Sequence, residues 1–260
     1  MQFTRFIALG DSMTEGMSDE VIDGNYRGWA DRVADTLAKD NPDFTYMNLA
    51  IRGKLLKQVV EDQIPLAIKY IEGKQTLVSF HAGANDVLRP NYKPEVSLPE
   101  YEKGIKQLTD AGATVIIFTV VDKVEGKGKT AKLWHQRFSA FNENIRNVAS
   151  KYPTILFEGK KAEFLNDRRF LAFDRLHMNS EGHRRLANAV LEGLGFAFDP
   201  NWKVPPPPQD EVGKFKKNLI NLAWIAVFLL PWIWRRIRGK SSGDGRSGKY
   251  EVPTSWPKGQ

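Results

Sequence analysis

Five short apolar runs alternate with longer segments of helical periodicity, and this alternation constrains the fold more than any other feature of the chain. The runs lie at 5–9, 45–49, 76–80, 114–120 and 154–157, and the helical patterns at 29–38, 55–70, 98–111, 133–150 and 181–194. Near-continuous apolar runs rich in β-formers suit parallel strands covered on both faces. Their alternation with helices predicts βαβ units in an open, doubly wound α/β sheet. In such sheets, sites assemble at the carboxyl ends of the strands. The residues that follow each run therefore carry the functional information.

Gly10-Asp11-Ser12 follows the first run and Asn48 to Gly53 the second. His81-Ala82-Gly83-Ala84-Asn85-Asp86 follows the third, and the fifth leads to Asp174-Arg175-Leu176-His177 just before the last helix. Taken locally, Ser12 reads equally as a nucleophile or as a helix cap, because Asp and Ser are favoured at N-caps. The distant partners separate the two readings. Acyl transfer through serine needs a base, a group that orients the base, and donors aimed at the developing oxyanion. His177 suits the base, since imidazole titrates near neutrality, and Asp174 lies close enough in sequence to hold its other nitrogen. The backbone N–H groups of Ser12 and Gly53 and the Asn85 amide are donors of the type an oxyanion hole uses. Glycine at 53 also permits close backbone approach to a ligand.

In order and spacing, Gly10-Asp11-Ser12, Gly53, Gly83-Ala84-Asn85-Asp86 and Asp174-Arg175-Leu176-His177 resemble the four sequence blocks of the GDSL/SGNH hydrolase family. The resemblance covers roughly residues 3–196, with Met13 replacing a common Leu, a volume-conserving change. It implies a flavodoxin-like three-layer α/β/α sandwich with a five-stranded parallel sheet. It also implies Ser12 as nucleophile, His177 as base, Asp174 as its orienter, and Ser12, Gly53 and Asn85 as the oxyanion hole. Asp11 and Asp86 are supporting residues, Asp86 as a brace for its loop.

Other polar residues rank lower. His183, inside the last helix, reads as structural; His81 precedes the Asn85 loop as a second layer behind it; His135 begins a helix. Arg52 and Arg89 lie near the same edge, where solvation outweighs ligand binding, and Asn179 and Ser180 mark the start of the last helix. No His-x-x-x-His or acidic cluster has metal-ligand spacing, so neither metal nor other cofactor is expected. Residues 121–132, with their Gly and Lys, are expected to form a flap over the site.

The chain has 260 residues, 42% apolar and 27% charged, with no cysteine, which excludes disulfides and thiolate chemistry. Its net charge of +7 is unevenly spread: residues 200–260 carry 11 of the 38 basic and 4 of the 31 acidic side chains, leaving 27 of each to residues 1–199. A neutral main domain argues against a nucleic-acid partner. The short apolar start runs into Gly10 without the pattern of a signal peptide, so the cytoplasm is the default location.

These features divide the chain into a catalytic domain at 1–199, a proline-rich linker at 200–213, a basic, Trp-rich apolar helix at 214–238, and a tail at 239–260 expected to lack structure. The apolar core of the 214–238 segment is short for a bilayer crossing. Its tryptophans and flanking basic residues fit either an anionic membrane surface or an apolar groove on protein. Gly239-Lys240-Ser241-Ser242-Gly243 matches a nucleophile elbow and 243–249 a phosphate loop in spacing only, since neither has its flanking elements. The expected function is serine-dependent hydrolysis of a small acyl ester, of a lipid or acetylated sugar among others. The alternatives are a catalytically silent scaffold, or acyl transfer through the same residues.

Overall fold

In the computed structural model, which describes residues 2–120, 128–159, 167–209 and 212–257, the apolar runs become adjacent strands of one sheet. The strands are β1 (Arg5–Gly10), β4 (Thr45–Asn48), β5 (Thr76–His81), β6 (Thr114–Phe118), β7 (Thr154–Phe157) and β8 (Tyr250–Ser255), with a small hairpin of β2 (Val21–Ile22) and β3 (Asn25–Tyr26) apart from them. The order is β7-β6-β5-β1-β4-β8; the first five run parallel and β8 antiparallel to β4.

The helices are α1 (Ser12–Glu15), α2 (Gly28–Ala38), α3 (Leu56–Gln58), α4 (Ile64–Ile68), α5 (Ala84–Val87), α6 (Pro94–Asp110), α7 (Lys129–Lys151), α8 (Ser180–Leu194), α9 (Lys214–Trp224) and α10 (Leu230–Ile237). A π turn at Val59–Gln63 joins α3 to α4, and another at Ile225–Leu229 joins α9 to α10. The second precedes Pro231, which cannot donate the regular helical hydrogen bond.

Alternate strand residues face opposite layers, as a period of two requires. Ile7, Leu9, Val78, Phe80, Val115 and Ile117 pack with Val60, Ile64, Tyr101, Ile105, Phe141 and Ile145 from the helices on one side. Phe6, Ala8, Leu77, Ile116 and Phe118 pack with Trp29, Val33, Val190 and Leu191 from α2 and α8 on the other. Two core layers on one sheet make the expected three-layer sandwich.

The sheet differs from expectation by one strand, and that strand comes from the tail expected to lack structure. β8 covers the free edge of β4, where an unpaired row of backbone groups would otherwise face water. Trp256 packs edge-on against Tyr46 with ring centroids 4.9 Å apart, and its indole N–H donates to Asp35 at 2.8 Å. Lys249 Nζ reaches both carboxylate oxygens of Asp31 at 2.8 Å and the Tyr26 carbonyl at 2.8 Å, and both side chains of the ion pair are 5% exposed. Pro253 is tolerated because β8 is an edge strand.

The linker is likewise laid on the domain: Trp202 is buried, and the Arg169 guanidinium donates to the carbonyls of Pro206 and Pro207 at 3.3 and 2.6 Å. Of the expected flap, 121–127 lie outside the described residues, and α7 begins at Lys129.

Candidate active site

The central strand order β5-β1-β4 sets three loops side by side at the carboxyl edge: those bearing Asn85, Ser12 and Gly53. Gly10 ends β1 with φ 146°, and a Cβ there would run into the His81 carbonyl of the neighbouring strand. Only glycine lets the chain turn so close to β5. The bend is clamped by Gln63, whose side chain accepts from the Gly10 N–H at 2.8 Å and donates to its carbonyl at 2.9 Å.

The cap of α1 is Asp11, whose carboxylate accepts the Met13 N–H at 3.2 Å; Ser12 is the first residue of the helix. The cap reading of Ser12 is thereby replaced, and its hydroxyl is left for another partner. That partner is His177: Ser12 Oγ lies 2.9 Å from His177 Nε2, and His177 Nδ1 lies 2.6 Å from Asp174 Oδ2. The other Asp174 oxygen accepts the N–H groups of Leu176 and His177 at 3.0 Å each, a turn made possible by Arg175 in the left-handed region (φ 61°). Burial works to raise the Asp174 pKa, but the hydrogen bond and charge of His177 and the two amides outweigh it and hold the carboxyl below its ordinary value. An ionised Asp174 fixes the Nδ1–H tautomer and leaves Nε2 to accept a proton from Ser12. Immediately beyond, the Asn179 side chain caps α8 through the Gly182 N–H at 3.0 Å.

Gly53 has φ 76°, and among the described residues neither its N–H nor that of Ser12 meets a protein acceptor. The Asn85 amide nitrogen donates to Asp11 Oδ2 and to the Lys54 carbonyl, both at 3.1 Å. Serving an oxyanion would require one of those hydrogens to be shared with the ligand. Burial pushes the Asp11 carboxyl up to about 7, against the Met13 amide and the nearby His177, which favour its charge. Asp86 accepts the Leu56 N–H at 2.8 Å and so ties the Asn85 loop to α3; burial, partly offset by that amide, pushes it up to about 6.

Two supports were not foreseen. Glu15, buried at the end of α1, accepts the Arg52 backbone N–H at 2.6 Å and pairs with its guanidinium, which also lies over the Tyr26 ring. Arg52 is thus a half-buried, ion-paired strut beside Gly53 rather than a solvated or ligand-binding cation. Gln63 is the other, hidden in the periodicity of its helix with no local signal of its role. Among the histidines, His183 is buried and His81 half-buried, and desolvation lowers both to about 4; His183 Nε2 meets the Met17 carbonyl at 3.2 Å. His135 is exposed on α7. Among the described residues, no group of three or more His, Cys, Asp or Glu side chains is placed to hold a metal ion.

Comparison with known proteins bears on family and fold. The model of the GDSL-like lipase/acylhydrolase family matches residues 8–185. A search of curated proteins finds no match. Among solved structures, Axe2, an acetylxylan esterase from Geobacillus stearothermophilus, aligns with TM-score 0.58 at 19% identity over 77% of this chain and 100% of its own. A member of the lipolytic protein G-D-S-L family from Veillonella parvula aligns with TM-score 0.54 at 20% identity over 72% and 96%. The psychrotrophic esterase EstA from a Pseudoalteromonas species aligns with TM-score 0.54 at 15% identity over 74% and 97%. At these identities the structural likeness establishes the fold.

Proposed function

The chain belongs to the GDSL-like lipase/acylhydrolase family and is a carboxylic ester hydrolase, and we propose that it hydrolyses small acyl esters through an acyl-enzyme on Ser12. The observation that carries this reading is the unbroken hydrogen-bonded chain from Ser12 Oγ through His177 to Asp174.

In the proposed reaction, Ser12 Oγ attacks the ester carbonyl while its proton passes to His177 Nε2. The carbonyl oxygen becomes an oxyanion facing the N–H groups of Ser12 and Gly53 and the Asn85 amide. Collapse breaks the bond to the alkoxy oxygen, which leaves as the alcohol with the proton from His177. Water then repeats the attack on the acyl-enzyme with His177 as base and releases the acid. No metal or organic cofactor enters any of these steps. Positioned proton transfer contributes about 10²–10⁴-fold and one oxyanion donor about 10²–10³-fold.

The neighbours' names include an acetylxylan esterase, which supports a short acyl group without defining the alcohol. The test is turnover of a panel of soluble esters graded in acyl length. Ser12→Ala and His177→Ala are expected to abolish turnover, while Asn85→Ala leaves a remnant lowered roughly 10²–10³-fold. Full turnover in Ser12→Ala would refute the assignment.

A further inference from the structure

The helical segment 214–237 presents an apolar surface that the domain does not cover. Phe215, Leu219, Leu222, Leu230, Ile233 and Ile237 are all exposed, and on each side of the π turn at Ile225–Leu229 their spacing sets them along one side of the helix. Among the described residues, the helix Lys214–Arg235 is long and apolar enough to cross a bilayer, and none of its apolar window is buried.

Its attachments exclude a crossing. Upstream, buried Trp202 and the Arg169 bonds to Pro206 and Pro207 hold the chain to the domain. Downstream, Ser241 packs on Gly53, and β8 joins the sheet. Both ends of the helix are therefore on the same side, and it lies across the domain instead of leaving it.

It lies at the rim of the site. Trp224 Nε1 donates to the Asp174 carbonyl at 3.0 Å, Arg175 donates to Asn221 Oδ1 at 2.7 Å, and the Arg175 guanidinium stacks over the Trp224 ring. The segment thus touches the Asp174–His177 loop at one point and the Gly53 loop, through Ser241, at another. Phe173 and Leu176, which flank Asp174 in that loop, are exposed as well.

Charge identifies what covers this face. Lys214, Lys216 and Lys217 stand at one end, and Arg235, Arg238 and Lys240 at the other, with no acidic residue between Glu211 and Asp244. A second copy would bring like charges together at both ends of the contact, which is unfavourable. A lipid surface with anionic headgroups neutralises both basic ends while the apolar stripe enters the acyl boundary, and tryptophan is favoured at that depth. We infer that the 214–237 helix docks in the plane of an anionic lipid bilayer and holds the Ser12 site at the membrane surface. Docking is independent of the hydrolytic reading, and vesicle binding tests it without any turnover.

The experiment is sedimentation of the full chain with phosphatidylcholine vesicles, with and without phosphatidylglycerol. The full chain is expected to bind the phosphatidylglycerol vesicles, and to bind them less tightly as salt rises. Combining Phe215→Asp, Leu222→Asp and Ile233→Asp should weaken binding roughly a hundredfold or more, since three large apolar side chains no longer leave water. These residues are exposed, so hydrolysis of a soluble ester should be unchanged, which also reports that the variant is folded. Lys214→Glu, Lys216→Glu and Lys217→Glu together should remove the preference for phosphatidylglycerol while leaving the apolar stripe intact. A full chain that stays in the supernatant with phosphatidylglycerol vesicles at low salt overturns the inference. So does a solution dimer abolished by the three Asp substitutions, which would make a second copy the occupant.

Discussion

Replacing Lys249 by Met should unfasten the tail strand from the domain, and the size of the effect follows from what the ammonium leaves behind. Lys249 Nζ bonds both oxygens of Asp31 at 2.8 Å and the carbonyls of Tyr26 and Arg27 at 2.8 and 3.2 Å. In Lys249→Met the buried Asp31 carboxylate keeps, among the described residues, only the Tyr46 hydroxyl, at 2.7 Å. Breaking a buried pair by removing one partner costs about 3–5 kcal/mol, or roughly ten degrees in Tm for a chain of this size.

The loss should also depend on pH. Burial already raises the Asp31 pKa despite Lys249, and without Lys249 it rises further. An acid whose folded pKa exceeds its unfolded value is relatively favoured at low pH, and that advantage is lost as pH rises through the folded pKa. The difference from the unaltered protein should therefore be larger at pH 8 than at pH 5. Urea unfolding at both pH values measures it, with the midpoint falling at constant m. A loss below about 0.5 kcal/mol, the range of ordinary surface substitutions, would refute the reasoning, as would a larger loss at pH 5.

Other perturbations probe the supports of the site. Gln63→Leu leaves the buried Gly10 N–H unsatisfied, while the Gly10 carbonyl keeps the Ile51 N–H at 3.2 Å, and should cost about 1–3 kcal/mol by urea unfolding. Glu15→Gln removes the charge that holds Arg52 beside Gly53; it should destabilise by about 2–4 kcal/mol and lower kcat more than it raises KM in steady-state assays. His183 is held neutral by burial at about 4, so it takes up a proton on unfolding, and stability falls as pH drops from about 6.5 towards 4. His183→Leu should reduce that slope by up to about 1.4 kcal/mol per pH unit, read from urea midpoints across the range.

How much of this was legible in the sequence depended on whether a residue acts through a local pattern. The five parallel strands carry their own signal, because strands covered on both faces, as four of these are, are written as continuous apolar runs, and the edge strand Thr154–Phe157 keeps the same apolar pattern. Ser12, Gly53, Asn85, Asp174 and His177 follow from what stands after those runs, and their roles as nucleophile, donors, orienter and base are proposals resting on the geometry of the site. Contacts that depend on tertiary pairing left no such trace. Tyr250–Ser255 contains Pro253 within a Gly- and Ser-rich stretch, and only the open edge of β4 makes it a strand. Arg52 reads in the sequence as a solvated surface charge, and only the folded loop pairs it with the buried Glu15. Gln63 sits in a helix whose periodicity says nothing of the Gly10 bend it holds. The Gly239–Gly243 stretch, set aside as a spurious nucleophile motif, packs against Arg52 and Gly53 at the wall of the site.

The central claim is that Ser12 is the nucleophile of a competent acyl-transfer site, and covalent labelling tests it most directly. The folded full chain is treated with a serine-directed alkylphosphonate, digested, and its peptides mapped by mass. A phosphonyl adduct on Ser12, absent in His177→Ala and after urea unfolding, is the predicted result. Folded protein with no adduct on Ser12, or with the label on Ser241 or Ser242, would contradict the account.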